Sequence, residues 1–107
     1  MEYHQQGDVT FREIEKLPKG LKAVKRVNGR LILAEGEVTG HAHAIVEPTA
    51  TMYEDEKGTL YLALEGDDPV VAKHETHGPI TLTKTFYEVG KIQEYDHFQE
   101  EARNVAD

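Results

Sequence analysis

The chain has 107 residues, enough for one domain with its own core and too few for two. Its 20 acidic and 12 basic side chains leave a net charge of −8, so it repels phosphate overall and no nucleic-acid partner is expected. It contains neither cysteine nor serine, which removes disulfides, thiolate metal knuckles and the common Ser and Cys nucleophiles.

The first residues, Met1-Glu2-Tyr3-His4-Gln5-Gln6, have neither the basic nor the apolar part of a secretory leader. A first strand is expected over residues 8–14, with Val9, Phe11 and, after a slip, Ile14 on its apolar side. Leu17-Pro18-Lys19-Gly20 is turn chemistry. Residues 22–27 run into Asn28-Gly29, a type I′ turn signal, and residues 30–34 read as the return strand of a hairpin. The basic stretch around Lys19, Lys22, Lys25 and Arg26 reads as a solvated edge, where lysines discourage edge-to-edge association.

Strands are next expected over residues 41–47, closed by Pro48, and over 49–53. A turn at Glu56-Lys57-Gly58 leads to residues 59–64, where Leu60, Leu62 and Leu64 share one face. Residues 70–75 follow, and Gly78-Pro79 breaks the chain. Residues 80–82 and 86–89 are expected to form a late pair, with 91–95 continuing extended. From Asp96 the period changes: Phe98, Ala102 and Val105 recur at helical spacing, predicting one short helix near residues 96–106. The whole chain therefore reads as a single all-β domain, a small sandwich or barrel of about eight to ten short strands with one C-terminal helix. No apolar run approaches the ~18 residues of a membrane span. With cysteine absent, a cytoplasmic location is expected.

Four of the six histidines fall in two short motifs, Gly40-His41-Ala42-His43 and His74-Glu75-Thr76-His77-Gly78-Pro79. On a strand, His41 and His43 share a face ~6.5–7 Å apart and can converge on one ion. His74 and His77 face opposite sides of a regular strand and converge only if the chain bends, which Gly78-Pro79 favours. His41, His43, His74 and His77 are thus candidate ligands of a divalent metal such as zinc, with Glu75 or Glu47 as an oxygen donor. Two other readings stand beside this one: histidines that fix strand register through hydrogen bonds, and neighbouring imidazoles that repel when protonated below about pH 6.5. His4 and His97 read as surface residues. No catalytic residue is assigned, because no phosphate loop, dinucleotide fingerprint or nucleophile–base pair appears.

His41-x-His43 followed after three residues by Glu47 resembles the first metal motif of the cupins, small β-barrels with a His-x-His and Glu set. The glycine spacing and the second cupin motif are not reproduced. The resemblance implies a barrel and, if catalytic, chemistry at a metal with an open position.

Gln6-Gly7-Asp8-Val9, residues 33–43, His77-Gly78-Pro79-Ile80, Tyr87-Glu88-Val89 and Gln93-Glu94-Tyr95 together resemble a family of short proteins of tailed phages and bacteria. Those proteins tend to carry Pro-Gly where this chain has Thr83-Lys84. This resemblance implies a phage-encoded accessory protein, in the host cytoplasm or the virion. The function expected from the sequence is a non-enzymatic binding or structural module with a protein partner. The alternative is a metal-binding, cupin-like protein. Edge strands leave a homo-oligomer open.

Overall fold

The computed structural model describes residues 1–35, 42–74 and 77–91. Ten strands occupy them: β1 (Tyr3–Gln6), β2 (Val9–Ile14), β3 (Lys22–Ala23), β4 (Leu31–Glu35), β5 (Ala42–Ile45), β6 (Ala50–Glu54), β7 (Leu60–Leu64), β8 (Val70–Ala72), β9 (Ile80–Leu82) and β10 (Phe86–Lys91). The expected helix over 96–106, and His97 within it, lie outside the described residues. No helix among the described residues is long and apolar enough to cross a membrane.

Alternation sets the inner faces. Val9 and Phe11 of β2 point inward and are buried, and Leu62 and Leu64 of β7 do the same with Leu60 packed beside them. Six strands form one antiparallel sheet in the order β1-β2-β10-β7-β6-β3. The pairs β4-β5 and β8-β9 make a second layer. They are joined edge to edge because Ala44 and Lys73 exchange both backbone hydrogen bonds, each 2.9 Å. One core lies between the layers, with Phe11, Met52, Leu62 and Tyr87 from the large sheet against Leu31, Ile45, Val70 and Leu82 from the smaller one. Each such fully buried side chain contributes roughly 1.5–3 kcal/mol.

Two expected pairings are replaced. Asn28 (φ 53°) and Gly29 (φ 79°) both adopt the left-handed conformation of a type I′ turn, as their sequence predicts. The hairpin they close is only the Val27–Arg30 bridge, however. β3 pairs with β6 and β4 with β5, because Leu31, Leu33 and Ile45 must face the core while Lys22 stays at the sheet edge. Arg26 fastens the turn. It donates to the carbonyls of Gly29 (2.9 Å), Glu47 (2.6 Å) and Ala50 (2.8 Å), so this basic side chain is committed to the fold.

The late pair is also not formed. β9 pairs with β8, whereas β10 lies between β2 and β7. The buried Tyr87 accounts for the change of layer: its hydroxyl accepts from the backbone N–H groups of Thr83 (3.1 Å) and Lys84 (3.0 Å). These bonds hold the connection in a bend that delivers β10 to the opposite sheet.

Candidate functional site

The site grows from a two-residue turn. Gln6 pairs with Val9 across the β1–β2 hairpin, leaving Gly7 and Asp8 as its tip. Gly7 has φ +60° while Asp8 keeps a negative φ, the pattern of a type II′ turn. This turn sets Gln6 inside, Asp8 at the rim, and a bare Cα between them. A Cβ on Gly7 would stand 2.6 Å from Nε2 of His77, so the imidazole of His77 lies directly on the glycine.

Gln6 is one of two buried polar residues among those described; the other is His43. The carboxamide Nε2 of Gln6 donates to the carbonyls of Ala72 and Gly78, both at 2.9 Å. Side-chain bonds thus stand in for strand pairing between β1 and the β8–β9 layer. With both amide hydrogens used on carbonyls, Oε1 must be the acceptor facing Nδ1 of His43 at 2.9 Å. Nδ1 of His43 is therefore a donor, and Nε2 carries the lone pair whenever the ring is neutral. That nitrogen lies 3.6 Å from Oδ1 of Asp8, whose second oxygen is 3.7 Å from Nζ of Lys91.

Three imidazoles cluster at this point. The His43 and His74 centroids are 4.2 Å apart with ring planes at 28°, His74 and His77 are 4.8 Å apart, and His43 and His77 are 6.0 Å apart at 12°. The backbone N–H of His77 donates to Nδ1 of His74 at 3.3 Å, which is the bend that brings these two rings together. The three centroids thus form a triangle rather than a column, with His43 buried, His74 half-buried and His77 exposed. His43 is stacked against both other rings while His74 and His77 are tilted to each other by 34°, and among the described residues no three His, Asp or Glu side chains already present ligand atoms to one point.

Of the four expected ligands, the structure brings His43, His74 and His77 together; His41 lies outside the described residues, as does Glu75. Glu47 is used elsewhere. Its Oε2 accepts from the backbone N–H of Val71 at 2.9 Å, anchoring the start of β8, while its Oε1 is buried with no hydrogen-bond partner among the described residues. His4 is on β1, half-buried, with Nε2 3.4 Å from Glu2. Gln6 and Asp8 were not among the candidates read from sequence, although Gly-Asp between Gln6 and Val9 is a II′ hairpin signal.

Gly7→Ala tests the turn and the stack together. The positive φ should cost about 1–3 kcal/mol, and the new methyl should displace the His77 ring. Gly20→Ala is the control, since Gly20 has φ +80° with no atom within 4 Å of its added Cβ. Both variants should melt earlier, but only Gly7→Ala should move the His77 ring-proton resonances. Unmoved resonances in that variant would show that His77 does not rest on Gly7.

Fold and site together define a small antiparallel β-domain with a polar junction between its two layers. The chain belongs to a family described as a domain of unknown function, DUF8820, whose model matches residues 5–92, a span that includes Gln6, Asp8, His43, His74 and His77. No curated protein and no solved structure matches it.

Proposed function

We propose that this chain is a non-enzymatic binding or accessory domain whose centre is the imidazole stack, and that the stack closes around one divalent metal ion. Zinc is the ion its nitrogen-rich donor set fits best. The observation that carries this reading is the tautomer of His43, locked by Gln6. A neutral ring holds an acceptor nitrogen beside the Asp8 carboxylate, an arrangement that a cation between them relieves. A proton would serve, giving a structural imidazolium–carboxylate pair. Two further imidazoles within 6.0 Å favour a metal ion instead.

His74 and His77 would turn edge-on, His74 giving up its long bond to the His77 backbone. His41, as the other half of the His-x-His motif, completes the proposed set. The chain has no serine or cysteine, so it lacks the Ser and Cys nucleophiles of covalent acyl transfer. Likeness to short phage proteins supports an accessory role beside a protein partner, in a virion or an infected cell.

Elemental analysis of protein purified without chelator or nickel resin is the test. Near-stoichiometric zinc is expected in the native chain, and a marked loss in both His43→Ala and the exposed-site variant His77→Ala. Added zinc at ~100 times its Kd should stabilise the fold by about 2.7 kcal/mol. A native chain that takes up no metal and melts identically with and without zinc would sink the proposal.

A further inference from the structure

We infer that Asp8 is the oxygen donor of this site, so that the ion is gripped between the tip of the β1–β2 hairpin and His43. This rests on the metal-binding reading above and assigns a ligand that the histidine motifs do not contain. Two donors each ~2.1 Å from one ion and at a tetrahedral angle are ~3.4 Å apart. Oδ1 of Asp8 and Nε2 of His43 are 3.6 Å apart, so both can bind one ion with almost no movement.

Their surroundings suit the two roles. The His43 side chain is 3% exposed and held by Gln6, whereas that of Asp8 is 39% exposed at a hairpin tip and can adjust to an arriving ion. Gln6 occupies the place of an outer partner: it accepts from the ring nitrogen opposite the ligand nitrogen, fixing tautomer and orientation. Oδ2 of Asp8 faces Lys91 at 3.7 Å, leaving Oδ1 as the oxygen directed at the imidazole. Glu47, the carboxylate that the cupin-like spacing favours, gives Oε2 to the Val71 backbone N–H and keeps its Oε1 buried without a hydrogen-bond partner among the described residues, so the test compares it with Asp8 through the Asp8 variants below.

Gln6 and Asp8 lie in one hairpin turn and His43 far along the chain on β5, which is why the spacing of the histidines alone did not indicate the oxygen donor. The hairpin also gives the ion a structural consequence. It would tie the β1–β2 tip to β5, adding a cross-link beside the one that Gln6 makes to Ala72 and Gly78.

The test is a titration of the full-length chain with Zn2+ by calorimetry and with Co2+ by visible absorption, comparing the native protein with Asp8→Asn and Asp8→Glu. Asp8→Asn should stay folded without metal, because the ion pairs it loses are partly exposed and contribute little, and should lose at least the ~10–100-fold in affinity that removal of an outer partner costs. Its Co2+ bands should shift as a carboxylate oxygen leaves the donor set, and Asp8→Glu should recover part of the affinity. If the native chain binds metal and Asp8→Asn binds it equally well with an unchanged Co2+ spectrum, the assignment of Asp8 is overturned while the histidine site stands. A native chain that binds neither ion overturns both.

Discussion

Gln6→Met is expected to lower the free energy of unfolding by about 3 kcal/mol, a large fraction of what a domain of this size possesses. Methionine fills a similar volume, so packing is nearly conserved and the loss is that of the hydrogen bonds. Three groups lose their partner: the carbonyls of Ala72 and Gly78, and Nδ1–H of His43. Gly78 is exposed and water can replace its partner, whereas the bond to Ala72 and that to His43 are buried. Each buried group left unsatisfied costs about 1–3 kcal/mol. Because Gln6 spans the two layers where β1 and β8–β9 do not pair, the loss falls on the joint of the fold. At roughly 4–8 °C per kcal/mol, melting should fall by more than 10 °C. Urea denaturation followed by circular dichroism measures it, with an unchanged slope expected. A change below ~1 kcal/mol would mean that His43 and Ala72 find other partners and that Gln6 is not the joint.

The importance of Gln6 could not have been read from the chain, and the reason is physical. Periodicity reveals strands that bury one apolar face, so β2, β6 and β7 were legible from Val9, Phe11, Met52 and the Leu60-Leu62-Leu64 alternation. β1 has no such face. Tyr3, His4 and Gln5 are at least partly exposed, and the strand is held by backbone pairing to β2 and by one buried carboxamide. Pairing partners were harder still. Asn28-Gly29 specified its turn, but the core required Leu31 and Ile45 to meet each other, so the strands flanking that turn found partners elsewhere. At the site, spacing marked His43, whereas His74 and His77 face opposite sides of a regular strand and converge only through a bend, which Gly78-Pro79 favours. Asp8 arrives through the hairpin from the far end of the sequence, and only the folded chain puts it beside His43.

Tyr87→Ala is expected to cost about 4 kcal/mol, in the range for removing a large aromatic side chain from a packed core. Tyr87→Phe should account for about 1–2 kcal/mol of this, because the ring stays while the hydroxyl that holds Thr83 and Lys84 is lost. The same hydroxyl donates toward Glu2 at 3.3 Å, so it also tethers the start of the chain. Burial pushes the Tyr87 phenol above its ordinary value of 10.0, with the Glu2 carboxylate adding to the shift and the two backbone N–H groups opposing it. Tyr61 is raised as well, first by burial and then by Glu88 and Asp55. The folded state therefore keeps protons that the unfolded chain gives up near pH 10. The associated stability is full below that pH and is lost as pH rises through the folded values. An absorbance titration should find phenols that ionise late, and stability should fall above pH 10. In Tyr87→Phe that alkaline fall should be shallower. An identical alkaline limb in the variant would mean that the turn, not the buried phenol, yields first to hydroxide.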